Sequence, residues 1–386
     1  MAKSKQTLLL SLLLTVLELV SLPAPSCQDV NFEVWLRNQP TDPGKDVGCV
    51  KTDVALSSAE TNKVTNSIDP TTELRPEDGS YKTISEAIAN IPDGSTKRYV
   101  LYLKAGAVFR EKLFLSRSKP FVTIRSSDPN NPAVIVWNDT ATTPGKDGKP
   151  LGVDNSSTVT IESDYFIAYS VVFKNDAPLP KLGENKGEAP ALRVLGTKAI
   201  FYNCTIDGGQ GALYDQSGLH YFKSSVIKGT IDFIFGSAKS FYEDCSIVSV
   251  NKEITTLPMA PLQQQQRDKT IKAAPGESGF SFKTCTFKGD GQNIYLGRVG
   301  TPFVFSYSQI DKELMAIISD GGRVQLAERI GSTYYADFKS YGPGLAKMLT
   351  KDLTYAEAKP FLGVHYISGQ TWILSIPPEH LDAPAP

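Results

Sequence analysis

Histidine and cysteine are scarce, with 3 His and 5 Cys among 386 residues. His220, His365 and His380 are too few for a multi-histidine metal centre. Cys204, Cys245 and Cys285 lie too far apart, without CxxC spacing or histidines to complete them, to read as zinc ligands. An excess of either charge is also missing. Lys plus Arg is 40 and Asp plus Glu is 41, a formal charge of -1, so composition makes no electrostatic case for a nucleic-acid partner or an anionic membrane surface. After the opening segment no apolar run is long enough to span a bilayer. What the chain does have is 41% hydrophobic against 21% charged residues, enough to bury a large core.

The opening segment is different. Lys3 and Lys5 precede Leu8-Leu9-Leu10-Ser11-Leu12-Leu13-Leu14-Thr15-Val16, and Pro23-Ala24-Pro25-Ser26 follow. A basic end, a short apolar centre and small residues form the pattern of a secretory signal peptide, assigned to 1–26 with cleavage between Pro23 and Gln28. Export carries the chain into an oxidising compartment, where Asn138-Asp139-Thr140, Asn155-Ser156-Ser157 and Asn203-Cys204-Thr205 are N-glycosylation sequons. The last falls on a repeated segment and is expected to be too buried for use. Cys27 and Cys49 could pair there, whereas Cys204, Cys245 and Cys285 share one register and read as free core thiols.

That register comes from a repeat. Phe201-Tyr202-Asn203-Cys204-Thr205-Ile206-Asp207-Gly208 is followed by Tyr221-Phe222-Lys223-Ser224-Ser225-Val226-Ile227-Lys228-Gly229 and by Phe241-Tyr242-Glu243-Asp244-Cys245-Ser246-Ile247. Aligned on the small residue, 204 to 225 is 21 positions and 225 to 245 is 20, while 245 to Cys285 is 40, which reads as two further turns. This period is too short for a βαβ unit and too regular for an ordinary sandwich. It predicts a solenoid of short strands in which Cys204, Ser225 and Cys245 stack in one interior column. Ala168–Phe173 reads as an earlier rung and Val304–Ile310 as a later one. A β-sandwich with coincidental spacing is the alternative that this reading leaves open.

Around the repeat, residues 27–75 form a polar extension rich in Thr, Asp and Ser, 76–375 the solenoid domain, and 376–386 a disordered tail. Ser85 is placed to cap a short helix, Glu86–Ile91, that would cover the open end of the solenoid. Strands are expected at Arg98–Leu103 and Phe121–Arg125. Gln263–Gln266, near Pro258 and Pro261, marks a long loop between rungs.

One segment carries chemistry. Gly229-Thr230-Ile231-Asp232-Phe233-Ile234-Phe235-Gly236 holds a single carboxylate in an apolar, β-prone run. An Asp buried among Ile and Phe is costly without partners, so Asp232 is expected to face outward from the scaffold. With Gly79-Ser80-Tyr81, Tyr102-Leu103-Lys104-Ala105-Gly106 and Tyr295-Leu296-Gly297-Arg298, this run resembles the signature segments of plant pectin methylesterases, over about residues 75–375. The resemblance implies an all-β, right-handed parallel β-helix with a short N-terminal capping helix. It implies a secreted, monomeric cell-wall enzyme that removes methyl esters from homogalacturonan and releases methanol without metal or other cofactor. A proteinaceous pectinesterase inhibitor is a family partner. By the same resemblance Asp232 is the nucleophile, Arg298 holds its carboxylate ionised and aimed, and Gln210 donates a hydrogen bond to the tetrahedral oxyanion.

The chain also departs from that pattern. The family's acid/base is an Asp immediately after the Gln, and here that position is Gly211, which has no proton to give. Glu188 begins the Glu188-Ala189-Pro190-Ala191-Leu192 segment where the family begins with Gln. Val299-Gly300 and Gly321-Gly322 lack the Trp expected at the second position of each pair, removing stacking area for sugars. Two functions remain: a working esterase in which Glu188 supplies the missing proton, or a catalytically impaired pectinesterase-like protein that binds a wall polysaccharide. A lyase on the same polymer would need acidic Ca²⁺ ligands near Arg298, and the sequence offers no such cluster. Lys146, Lys149 and Lys181 alternate with Asp147, Asp176 and Glu184 in the loops, so no basic track along a cleft is legible.

Overall fold

The structure is a computed structural model that describes residues 67–68 and 81–373, apart from 97, 127, 180–186, 231, 251–259, 262–277, 291–293, 296–302, 313, 316–334 and 346–349. The signal segment, Cys27, Cys49, Gln263–Gln266 and the tail lie outside the described residues.

Each turn of the chain supplies short strands to different sheets. Leu192–Val194 joins a five-stranded sheet, Ala199–Tyr202 an eleven-stranded sheet and Thr205–Asp207 an eight-stranded sheet. Their partners on the next turn are Leu213–Asp215, Leu219–Lys223 and Val226–Gly229, all parallel. In later turns the place of the five-stranded sheet is taken by a three-stranded one, Ala260–Pro261, Ile294–Tyr295 and Leu314–Met315. This is a right-handed parallel β-helix. Because neighbouring parallel strands sit about 4.8 Å apart, a residue type repeated once per turn stacks on itself. Phe201, Phe222, Tyr242 and Phe282 do so in the core, with ring centroids 4.8, 4.6 and 4.6 Å apart. Each such pair adds about 0.5–1.5 kcal/mol beyond its buried area.

Cys204, Ser225, Cys245 and Cys285 occupy one buried column, and the three thiols are free. The Cys204 amide donates to Ser225 Oγ at 3.1 Å and the Cys285 amide to Ser308 Oγ at 3.1 Å. Burial pushes the Cys204 thiol up to about 12, so it remains protonated and unreactive. The 40-residue step from Cys245 to Cys285 is one turn, contrary to the two read from spacing. Tyr242 pairs directly with Phe282 and Ser246 with Thr286. The additional residues fall between Val250 and Gly279, because a solenoid keeps strand register constant and lets connections vary in length.

Asn203 also departs from expectation. It is exposed at the bend between the eleven- and eight-stranded sheets, with φ 51°, and its Nδ2 donates to Ser170 Oγ at 2.9 Å. A residue at an outward corner escapes the alternation that buries its neighbours Phe201 and Cys204.

The helix is Ile84–Ala89, and its cap is Thr83, whose Oγ1 accepts from the Glu86 amide at 3.0 Å. Ser85 instead donates to Glu111 Oε2 at 2.8 Å. Burying Ile84 with Ala87 and Ile88 on one face starts the helix earlier than the Ser85 signal implied. Ser67–Ile68 pairs with Tyr102–Leu103, so the eleven-stranded sheet begins within the stretch read as a polar extension. At the other end Val364, Ile367, Trp372 and Ile373 cover Ile167, Ile200, Tyr221 and Phe241 on that sheet's outer face. Inside the solenoid, Asp215 accepts from Tyr242 at 2.7 Å and meets His220 Nδ1 at 2.5 Å, while His220 Nε2 faces the Gly196 carbonyl at 2.8 Å.

Candidate active site

Two successive turns leave the eight-stranded sheet and enter the five-stranded sheet through bends of equal length. Asp207 pairs with Lys228 before the bend and Leu213 with Ile234 after it, each an offset of 21. Residues 208–212 therefore lie over 229–233, and Gly211 lies over Asp232. The Thr230 amide donates to the Gly209 carbonyl at 3.2 Å and the Leu213 amide to the Phe233 carbonyl at 2.8 Å, which locks the two bends together. On the preceding turn the Ala189 amide donates to the Gln210 carbonyl at 2.8 Å. Glu188-Ala189, Gln210-Gly211 and Asp232 thus occupy three consecutive tiers.

Asp232 has φ 47° and is only 6% exposed, while Phe233 and Ile234 beside it enter the core. It stands outside the apolar core cluster, yet it is buried from solvent. The bend folds tightly because a β-carbon on Gly229 would lie 2.2 Å from Phe233 Cβ, a distance only glycine avoids. The run that presents Asp232 is thereby held by a buried Phe on one side and a glycine on the other.

Gly211 is the second constrained position. Its φ is 67°, and a β-carbon there would lie 3.0 Å from Phe235 Cε1 and 3.2 Å from both Cβ and Cγ of Glu188. The Glu188 side chain therefore packs against the one tier that has no side chain of its own. Phe235 stacks on Tyr214 with centroids 4.3 Å apart and an interplanar angle of 13°. Arg193 lies 5.5 Å over the Tyr214 ring, held by Gln216 Oε1 at 2.7 Å and paired with Asp154 at 2.9 Å. This aromatic pair was missed by the sequence reading. Its signal was the alternation in Leu213-Tyr214-Asp215 and Ile234-Phe235, which sends the rings to the outer face.

Of the residues named from the sequence, Gln210, Gly211, Glu188 and Asp232 converge. Arg298, with Val299-Gly300 and Gly321-Gly322, lies outside the described residues. Among the described residues no cluster of three His, Cys, Asp or Glu side chains could hold a metal ion, and no helix is long and apolar enough to cross a membrane.

The Pectinesterase family profile matches residues 74–365. The chain belongs to the pectinesterase family. It is 35% identical to putative pectinesterase 63 of Arabidopsis thaliana over 309 residues, 78% of this chain and 85% of that protein. It is 35% identical to pectinesterase QRT1 of the same plant over 303 residues, 76% of each chain. Among solved structures it resembles pectin methylesterase from carrot, with TM-score 0.63, 25% identity and coverage of 76% of this chain and 91% of that one. Pectin methylesterase PemA from Erwinia chrysanthemi shares the fold, with TM-score 0.66, 22% identity and coverage of 81% and 99%.

Proposed function

We propose that this chain is a secreted ester hydrolase of cell-wall pectin that works through Asp232 with Glu188 as its acid and base. The observation that carries the reading is the packing of Glu188 Cβ and Cγ beside Gly211, one tier from Asp232. Asp232 attacks the carbonyl carbon of a methyl galacturonate unit, and Gln210 hydrogen-bonds the oxyanion that forms. Collapse of the tetrahedral intermediate breaks the bond to methoxide, which takes a proton from Glu188 and departs as methanol. Glu188, now a carboxylate, removes a proton from water as it attacks the acyl-aspartate, regenerating Asp232 and leaving a free galacturonate. Arg298 is assigned to hold the Asp232 carboxylate ionised. Tyr214 and Phe235 put an aromatic pair beside the bend, in a chain that has Gly300 and Gly322 where the resemblance expects Trp.

A second reading, an impaired protein that binds pectin without hydrolysing it, is favoured by the absent side chain at Gly211. Methanol release from highly methylated pectin by the purified protein, beside its Asp232→Asn variant, separates the two. Release that Asp232→Asn abolishes and Glu188→Gln sharply lowers supports the esterase. Equal, negligible release from all three proteins overturns it. A hexasaccharide complex is known for a pectin methylesterase of this fold, which supports a polysaccharide ligand for either reading.

A further inference from the structure

The loops hold no basic track, but a sheet face does. On the outer side of the eight-stranded sheet, register aligns Lys174, Asp207, Lys228, Val248 and Lys288 in one column. Their chain neighbours Phe173, Ile206, Ile227, Ile247 and Phe287 are fully buried, so alternation turns the column to solvent. Lys174 is 43% exposed and reaches Asp207 at 3.7 Å, a long and weak contact. Among the described residues neither Lys228 nor Lys288 has a carboxylate partner. Lys228 directly precedes Gly229, the residue that opens the bend to Asp232. The column therefore runs along the helix axis at the edge of the candidate active site.

We infer that this lysine column binds the demethylated stretch of a polyuronate, the polyanion that ester hydrolysis leaves behind. The lysines stand on alternate tiers, which at about 4.8 Å per tier puts them roughly 10 Å apart. An extended uronan chain advances by close to one tier per sugar, so carboxylates of alternate sugars meet the ammonium groups of alternate tiers. The neutral methyl-esterified chain offers no such charges. An enzyme built this way retains the segment it has just demethylated and is biased toward the neighbouring esters. The inference rests on the pectin-directed reading of the site, but its test does not require turnover.

The experiment uses the full-length secreted protein carrying Asp232→Asn and measures binding to unesterified oligogalacturonate and to its fully methylated counterpart by titration calorimetry at two salt concentrations. Lys174→Gln, Lys228→Gln and Lys288→Gln are introduced together and compared with Lys351→Gln, a control on the C-terminal segment. The expected result is a Kd for the acidic oligomer about tenfold higher in the triple variant, with a shallower salt dependence, and an unaltered Kd in the control. Circular dichroism checks that folding is retained. Unchanged affinity in the folded triple variant, no binding of the acid form by the parent, or equal binding of dextran sulfate would each overturn the assignment. Salt-sensitive uronate binding that depends on the three lysines, together with absent methanol release from the wild-type chain, would sink the esterase reading and leave this one standing.

Discussion

The bend from the eleven-stranded to the eight-stranded sheet is the same in turn after turn. Asn203, Ser224, Asp244 and Thr284 each adopt φ between 50° and 53°, and their amides donate to the next turn at 3.0, 3.0, 3.0 and 2.9 Å. The bend on the other side of the eight-stranded sheet varies. It takes residues 208–212 in one turn and 229–233 in the next, while the preceding turn spends 176–191 on the same passage. Side-chain identity at the first bend is loose, because any residue that tolerates the left-handed conformation completes the ladder. At the second bend identity is strict, because Gly229 closes on Phe233 and Gly211 on Phe235 and Glu188, on the two tiers that frame Asp232. Uniform corners hold the solenoid together, and the irregular corner is where chemistry can be placed.

Breaking the irregular corner should cost activity before stability. Asp232→Asn is expected to lower kcat/KM for methanol release by at least ~10⁴, with little change in the unfolding midpoint. An Asn variant that retains activity would remove Asp232 from the nucleophile role.

The core stack behind the regular corner should show the opposite signature. Phe222→Ala, between Phe201 and Tyr242, is expected to cost about 3–5 kcal/mol in chemical unfolding. A loss below about 1 kcal/mol would mean that the stack relaxes into the space, unlike rigid cores.

Glu188→Gln sharpens the comparison, since it leaves side-chain volume nearly unchanged. A loss of roughly 10²-fold in kcat is expected. A gain in rate would instead identify Glu188 as an obstructive charge near the oxyanion.

Gly211→Asp places an acid on the empty tier and should raise methanol release by about tenfold. It should also lower stability by about 1 kcal/mol, because Asp occupies φ 67° less readily than glycine. The 3.0 Å approach to Phe235 requires that ring to shift. Measuring rate and unfolding midpoint on the same preparation separates the two effects.

The smallest effect belongs to the regular corner itself. Ser224→Gly removes the left-handed penalty and restores backbone freedom in the unfolded chain, and the two should cancel to within about 1 kcal/mol. A larger loss would show that Ser224 has a specific role that its neighbours at the same bend do not.

Much of this architecture was legible because a solenoid writes its geometry into a linear period. The Phe, Cys or Ser, and Ile positions recur near one turn, so stacking of Cys204 on Ser225 and Cys245 followed from counting alone. The same counting failed between Cys245 and Cys285, where an inserted passage doubled the spacing without adding a turn. Helix capping was misplaced for a related reason: Thr83 and Ser85 are equivalent as local signals, and burial of Ile84 chose between them.

Sequence alone therefore determined the repeated strands and the family, and it named Asp232, Arg298, Gln210, Gly211 and Glu188 as candidates, since each rests on residue type and local spacing. Tertiary structure decided how closely Glu188 packs on Gly211, that Tyr214 and Phe235 form a stacked pair beside them, and that lysines as distant as Lys174 and Lys288 share one column. Those facts depend on which turns lie side by side, and register between turns is set by core packing and interstrand hydrogen bonds across the whole solenoid.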